Sequence, residues 1–361
     1  MNEVVPYSYT QLGNLIVLGD GPELLVYSGS NDQGMWKIMA EDIVMGVGST
    51  KDHVYMVDGS GLLVLYRAIN GEELSRLRTD CSPWSMEVAA DGSVAILTAN
   101  SVVIVRGGAD PLTVPLSGPR KAAWDTDATK LAVACNDGSV YVLDPSSGAA
   151  MQSVGVGEAV TAVRWRVQGH WVVSHGRSVS YLGVVGEEEP VLSVTETMVV
   201  GGATVDIAVS SDGSVLAVAL DDQRVQIFEM LGKVEAGFVQ FARTIYAVRF
   251  GNHGWLGVGF DDGDANRFDV ITGKMTRTQA HVGRGQNAWK MKPEMNHAVV
   301  RGAMATTSAG GSPIAKHNVP KIKKKKKKRS KWMYVGGCSL VLFILCCGGG
   351  GVVGAWQYGL F

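Results

Sequence analysis

The chain has 361 residues, of which 46% are apolar and five are cysteines. Such a composition excludes a disordered protein and a small disulfide-stapled secreted domain, and it allows one large core or two small ones. The net charge is -1, but the charges are unevenly distributed: residues 301–361 hold 11 Lys and Arg and no acid. Residues 1–300 therefore carry a net charge of -12. A segment this acidic is expected to have little affinity for nucleic acid.

The first residues do not form a secretory signal. The chain opens Met1-Asn2-Glu3 and continues into Val-Val-Pro-Tyr without a basic segment followed by an apolar core. Only Cys81 and Cys135 lie before residue 300, which is typical of a protein in a reducing compartment. The sequence therefore predicts that residues 1–300 fold in the cytoplasm.

One pattern recurs along this part of the chain: a short apolar strand, a tight polar turn and a second alternating strand. Turns such as Asn136-Asp137-Gly138 are typical of β-hairpins. The seven predicted hairpins pair residues 15–18 with 24–27, 54–57 with 62–65, 94–97 with 102–105, 131–134 with 140–143, 171–173 with 179–182, 216–219 with 225–228, and 256–259 with 265–268.

The hairpins repeat at spacings of 38 to 46 residues. An all-strand repeat of about 40 residues indicates a β-propeller built from four-stranded blades. Apolar segments before the hairpins supply the inner strands, among them residues 122–125, 162–165, 205–208 and 247–250. Residues 287–291 resemble one further inner strand, which would either complete the first blade or begin an eighth. The predicted fold is therefore all-β, a propeller of seven blades with eight left open.

Residues 140–148 (VYVLDPSSG) and 267–274 (RFDVITGK) are the segments that carry a family resemblance. They resemble the repeats of the WD40-like and quinoprotein-like β-propeller families, and the resemblance extends over residues 1–300. It implies a rigid ring whose loops emerge on two faces, and a function in binding other proteins.

Acidic residues recur in the turns between the second and third strands of the blades. All of these turns emerge on the same face of a propeller, so the pattern predicts an electronegative face that recruits a basic protein partner. The alternative is that Asp is simply a good turn former. The predicted partner-binding residues are Asp20, Asp58, Asp137, Asp221, Asp222, Asp261, Asp262 and Asp264.

No local motif points to enzymatic chemistry. The seven histidines show no metal-binding spacing, no sequence resembles a nucleophile elbow, and the Gly-rich segments lack the Lys and Ser or Thr of a phosphate-binding loop. The sequence predicts neither a catalytic residue nor a cofactor nor a metal. A Ser/His/Asp triad assembled from distant residues is the alternative that a sequence without such motifs leaves open.

After residue 300 the strand pattern ends. Residues 301–320 read as a flexible linker, whose 20 residues would separate their ends by roughly 25 Å as a random coil. Residues 321–331 form a polybasic segment that is expected to contact anionic lipid, at about 1 kcal/mol per basic residue near the surface. Its basic residues are Lys321, Lys323, Lys324, Lys325, Lys326, Lys327, Lys328, Arg329 and Lys331.

Residues 332–358 are predicted to be a single transmembrane helix. The 22 residues from Tyr334 to Ala355 carry no charge and would span roughly 33 Å as a helix. Because the basic residues lie on the N-terminal side, the positive-inside rule places residues 1–331 in the cytoplasm. The spacing of Gly350 and Gly354 would let two such helices pack as a homodimer. Cys338, Cys346 and Cys347 could be acylated or could serve only as small apolar residues.

These features together predict a membrane-tethered cytosolic β-propeller that acts as a non-enzymatic interaction scaffold. The alternative function is regulation of a membrane-associated small GTPase, because the architecture is similar to that of exchange factors with a propeller and one C-terminal span. Their Gly-rich, Lys-containing catalytic loop has no counterpart in the first predicted blade. The partner, the membrane and the state of assembly are not encoded in any motif.

Overall fold

A computed structural model of the chain describes residues 7–9, 15–28, 33–166, 169–186, 190–251, 254–261, 265–270 and 275–278. These residues belong to one compact unit, Met1–Ala309. They form seven antiparallel sheets, each made of four strands that are consecutive in the chain. The predicted linker, polybasic segment and transmembrane helix lie outside the described residues, and so do residues 287–291.

The first four sheets, blades 1 to 4, use strands β1 to β16. Blade 1 contains β1 (Tyr7–Tyr9), β2 (Leu15–Asp20), β3 (Glu23–Ser28) and β4 (Gly34–Met39). Blade 2 contains β5 (Val44–Ser49), β6 (His53–Asp58), β7 (Leu62–Arg67) and β8 (Glu73–Arg78). Blade 3 contains β9 (Ser85–Val88), β10 (Val94–Leu97), β11 (Ser101–Val105) and β12 (Leu112–Pro115). Blade 4 contains β13 (Pro119–Trp124), β14 (Leu131–Cys135), β15 (Ser139–Leu143) and β16 (Ala150–Gly155).

The last three sheets, blades 5 to 7, repeat the same order. Blade 5 contains β17 (Val160–Arg166), β18 (His170–His175), β19 (Ser178–Val185) and β20 (Val191–Val199). Blade 6 contains β21 (Thr204–Val209), β22 (Val215–Leu220), β23 (Arg224–Glu229) and β24 (Val234–Gln240). Blade 7 contains β25 (Ile245–Phe250), β26 (Trp255–Phe260), β27 (Ala265–Asp269) and β28 (Met275–Thr278). All seven predicted hairpins are confirmed as the second and third strands of the blades.

The blades form a closed ring of seven. Each buries apolar side chains against the next, and the largest fully buried ones include Trp171 and Phe260. Blade 1 packs directly on blade 7, where Ile16 and Leu18 meet Ala247 and Ala265. This contact leaves no place between them for an eighth blade. The first blade already has its inner strand in β1, which the sequence pattern did not reveal.

Two faces of the ring follow from the antiparallel order. The turn between the second and third strands of a blade emerges on the same side as the connection from its fourth strand to the next blade. We name this side the BC face and the other side the opposite face. The inner strands β1, β5, β9, β13, β17, β21 and β25 surround the central channel and contact their neighbours around the ring.

Small residues let the inner strands approach one another. A β-bulge near the beginning of β5, β13, β17, β21 and β25 bends these strands at the channel. In β5, a Cβ added at Gly46 would lie 2.6 Å from Met86 Cβ of β9 and 3.0 Å from the Met86 backbone nitrogen. Blades 2 and 3 can therefore close only because residue 46 has no side chain.

Replacing this glycine should open the ring locally. We expect Gly46→Ala to lower the free energy of unfolding by about 1–3 kcal/mol, because the added methyl group meets the backbone of β9. The control is Gly107→Ala, where an added Cβ would have no atom within 4 Å. Urea unfolding followed by tryptophan fluorescence measures both variants. Equal stability of the two would contradict the tight approach of blades 2 and 3.

Candidate functional site

The six predicted acidic residues that the structure describes lie on the BC face, but they differ in exposure. Asp137, Asp221, Asp222 and Asp261 are exposed, and Asp20 is half-buried. Asp58 is completely buried, with 0% of its surface exposed. Asp262 and Asp264 lie outside the described residues, as do the nine basic residues between Lys321 and Lys331.

Asp58 is a turn residue. Its Oδ1 accepts hydrogen bonds from the backbone N–H of Ser60 at 3.0 Å and of Leu62 at 3.0 Å, and from the Ser60 hydroxyl at 2.7 Å. Its carboxylate therefore shapes the hairpin and does not contribute to the candidate acidic surface. At this position the alternative interpretation of the sequence is correct: the Asp is present because it forms the turn.

Other acidic residues make the same kind of turn on both faces. Asp137 Oδ1 accepts the N–H of Ser139 at 2.9 Å on the BC face, and Asp212 Oδ1 accepts that of Ser214 at 3.0 Å on the opposite face. An Asp in a turn is thus no sign of a binding face by itself. Whether the exposed carboxylates of the BC face bind a basic partner stays a prediction.

The most unusual chemistry lies in the central channel. Asp206 of β21 is buried and binds two arginines from the neighbouring inner strands. Arg164 Nη2 of β17 donates to Asp206 Oδ1 at 3.0 Å, and Arg249 Nη1 of β25 donates to Asp206 Oδ2 at 2.5 Å. One carboxylate therefore joins blades 5, 6 and 7 at the axis of the ring.

Backbone groups complete this arrangement. The N–H of Val248 donates to Asp206 Oδ2 at 3.0 Å. Arg164 Nη1 donates to the carbonyl of Val163 at 2.7 Å, and Arg249 Nη1 donates to that of Val248 at 2.8 Å. Each guanidinium is thus held against its own strand and points toward Asp206. Burial alone would raise the pKa of Asp206, but the charges of Arg249, Arg164 and Lys121 and the Val248 hydrogen bond lower it overall.

Lys121 of β13 and Glu87 of β9 face the same cavity. Burial lowers the pKa of Lys121, the charge of Asp206 opposes this shift, and the charges of Arg249 and Arg164 reinforce it. We name Glu87, Lys121, Arg164, Asp206 and Arg249 the channel cluster. It contains three cations and two carboxylates, an excess of one positive charge.

At the BC-face end of this cavity the lining residues are Met45, Trp84 and Tyr246, which we name the channel mouth. Trp84 lies in the connection between blades 2 and 3, and 39% of its surface is exposed. Burial raises the pKa of Tyr246 to about 12, with Arg249 opposing and Asp206 supporting the shift, so its hydroxyl is neutral at pH 7. The mouth therefore presents large, partly apolar side chains above a charged channel.

Sequence reasoning missed the channel cluster. The signal was present, because Ala162-Val163-Arg164 and Ala247-Val248-Arg249 place the same charged residue in two strands that otherwise read as apolar. A charge in a buried strand indicates a partner, but no spacing in the sequence identifies Asp206 as that partner. The partner becomes visible only when three blades are placed around one axis.

The structure also brings together a serine, a histidine and a glutamate. Ser180 Oγ lies 2.8 Å from His175 Nε2, and His175 Nδ1 lies 3.8 Å from Glu158 Oε2. Ser180 is only 1% exposed, and its oxygen also lies 2.8 Å from Thr197 Oγ1. Because a nucleophile this deeply buried cannot meet a substrate, these groups connect strands β18, β19 and β20 and are not an active site.

The described residues also bear on metal binding and on membrane insertion. No group of three or more His, Cys, Asp or Glu within them is placed to hold a metal ion. They also contain no helix whose length and apolarity would suit it to cross a bilayer.

Comparison with known proteins identifies the fold. The β-propeller domain of Cps50 (Swd1) from Myceliophteria thermophila matches with a TM-score of 0.61 and 10% identity, over 75% of this chain and 95% of that one. Sqt1 from Saccharomyces cerevisiae matches with a TM-score of 0.58 and 10% identity, over 76% of this chain and 84% of its own. The fold is a seven-bladed β-propeller. No protein-family model and no curated protein matches the sequence.

Removing the central carboxylate should destabilise the ring. We expect Asp206→Asn to lower the free energy of unfolding at pH 7 by about 2–4 kcal/mol, because two mostly buried arginines lose their counter-charge. Asp137→Asn is the control, since Asn can still accept the turn hydrogen bond at that exposed site. Urea unfolding of both variants measures the effect.

The pH dependence gives a second reading of the same variant. A carboxyl group whose pKa is lowered in the folded protein contributes stability above its unfolded pKa, and that stability is lost as the pH falls through the folded value. The difference between the native protein and Asp206→Asn should therefore shrink below about pH 4. A difference that stays constant down to pH 2 would contradict the ionised state of Asp206.

Proposed function

We propose that this chain is a membrane-tethered interaction scaffold whose protein partner binds at the channel mouth. The observation that carries this proposal is the exposure of Trp84 beside the opening of the channel, at 39% of its surface. Tryptophan is the side chain most often found at the energetic centre of protein interfaces. A rigid ring holds it in place, so little order has to be gained when a partner binds.

The surroundings of Trp84 suggest the chemistry of the partner. Ile43, in the connection between blades 1 and 2, is 40% exposed on the same face. Exposed carboxylates surround this apolar part of the BC face, namely Glu41, Asp42, Asp80, Asp137, Asp221, Asp222 and Asp261. Some are already neutralised, as Glu41 is by Arg76 at 3.1 Å and Asp222 is by Arg224. The acidic excess that remains favours a partner with an apolar anchor and basic flanks.

A scaffold agrees better with the described residues than an enzyme does. The Ser180, His175 and Glu158 group is closed to substrate, and the charged groups of the channel are engaged with one another or lie within a narrow cavity. No step of a reaction can be assigned to them. Binding without turnover is the function that this geometry supports.

Tethering rests on the sequence after residue 320. The nine basic residues between Lys321 and Lys331 precede the uncharged stretch from Tyr334 to Ala355. This order favours an anchor inserted with residues 1–331 in the cytoplasm and a polybasic segment against anionic lipid. The linker before it would let the propeller reach its partner at a variable angle.

Proximity labelling in intact cells tests the partner site. A labelling enzyme is fused to the N-terminus of the full chain, of Trp84→Ala and of Leu231→Ala. Leu231 is 96% exposed on the opposite face and serves as a matched apolar control. We expect Trp84→Ala to reduce the labelling of the main partners at least tenfold, in line with a loss of 2 kcal/mol or more that is typical of an interface centre. Equal labelling by all three proteins would show that the channel mouth is not the partner site.

A chain that ends at Pro320 tests the tether separately. We expect it to appear in the soluble fraction, whereas the full chain sediments with membranes and is released only by detergent. Labelling of cytosolic proteins by the full chain would support the predicted topology. A truncated chain that still sediments, or labelling of proteins outside the cytoplasm, would contradict the anchor.

A further inference from the structure

The channel cluster does not neutralise its own charge. Asp206 uses both oxygens, Oδ1 for Arg164 and Oδ2 for Arg249 and the Val248 N–H. Lys121 and Glu87 make no side-chain hydrogen bond to any described residue, although both face the cavity. When Lys121 is protonated, three cations face two carboxylates, and one positive charge lacks a counter-charge.

Such an excess is unfavourable away from bulk water. An uncompensated charge in a poorly solvated site costs several kcal/mol, and proteins meet this cost by pairing the charge or by losing the proton. The free donors are well suited to an anion. Beyond its bonds through Nη1, Arg249 keeps Nε and Nη2 without a hydrogen bond to any described residue, and its side chain is 24% exposed. The Lys121 ammonium adds three more N–H donors.

Glu87 narrows the choice of anion. A carboxylate is only an acceptor, so it repels an anion without protons but accepts a hydrogen bond from an anion that carries an O–H group. Phosphate retains at least one proton near pH 7, whereas sulfate has none. The cavity is small, at about 40 Å³, a few times the space that one water needs, so it favours a compact anion.

We propose that the channel cluster binds a protonated phosphate group, whose oxygens accept hydrogen bonds from Lys121 and Arg249 and whose O–H donates to Glu87. Inorganic phosphate has this chemistry at pH 7, whereas a small monoester has it only in its monoanion, the minor form at that pH because the second pKa is about 6. The bound anion supplies the missing negative charge and stabilises the inner strands of blades 3, 4 and 7. The site does not depend on the proposed partner at the channel mouth.

The thermal stability of the purified full chain tests this site. The midpoint of unfolding is measured at pH 7 by tryptophan fluorescence in chloride, sulfate, inorganic phosphate and glycerol phosphate at equal ionic strength. At saturating phosphate we expect a rise of about 3–6 °C over chloride and a smaller rise in sulfate. Sulfate also controls for the general stabilisation that strongly hydrated anions give to any protein.

Three variants assign the effect to residues. Lys121→Met should lose the additional rise in phosphate, and Lys51→Met, at an exposed position of blade 2, should keep it. Glu87→Gln should remove the preference for phosphate over sulfate, because an amide can donate to either anion. If Lys121→Met does not fold, Lys121→Gln provides the test, and it should lose the additional rise in phosphate because it removes the charge.

Two results would overturn the proposal. One is equal unfolding midpoints in phosphate and in sulfate for the native chain. The other is an undiminished phosphate effect in Lys121→Met, which would assign the effect to the basic residues 321–331. A rise in inorganic phosphate supports the site whether or not glycerol phosphate shares it. The monoester shows only whether the phosphate can come from a larger molecule. Loss of partner labelling in Trp84→Ala would leave these results unchanged, so the two proposals can fail separately.

Discussion

Seven inner strands meet around one axis, and the space at that axis decides which side chains the ring can hold. Gly46 has no side chain because β9 lies against it. Where room remains, the axis is filled by charge, with Asp206 joined to Arg164 and Arg249. Buried ion pairs of this kind add little net stability, but the removal of one charge destabilises a protein strongly because the remaining charges lose their partner. The three blades that carry these residues are therefore fixed to one another at the centre of the ring.

The same constraint shapes the surface that a partner would meet. The connections on the BC face lead from the outer strand of one blade to the inner strand of the next, so they bring side chains toward the axis. Trp84 is one of them, and it lies beside a cavity whose walls are charged. The carboxylates farther from the axis make the surroundings negative, while the channel cluster carries an excess positive charge. A partner would thus meet a positive channel at the axis and a negative surface around it, an arrangement that favours one binding orientation.

The sequence predicts the blades well because their signals are local. A hairpin requires its own turn residues and its own alternation, so 136–138 identifies the turn between β14 and β15 without reference to the rest of the chain. The strand β1 was missed because Tyr7–Tyr9 is only three residues long and lies apart from its hairpin. The turn pattern predicts Asp58 on the surface, but the connection between blades 1 and 2 packs on the same turn, where the Gly59 N–H donates to the Ile43 carbonyl, and Asp58 is buried.

The channel cluster shows what local signals cannot supply. Arg164 and Arg249 are 85 positions apart, and Asp206 lies between them in the sequence as in space. Their association depends on the number of blades and on the register of three inner strands, which no single repeat encodes. The channel cluster takes one residue from each of blades 3 to 7, so it forms only when the ring is closed.

The central claim, that the channel mouth is the surface that binds a protein, is tested most directly by photocrosslinking in cells. A photoreactive amino acid is introduced in place of Trp84 in one full chain and in place of Leu231 in another. We expect discrete crosslinked proteins from position 84 and only diffuse background from position 231. Crosslinks from position 231 alone would show that the partner binds the opposite face and would contradict the account.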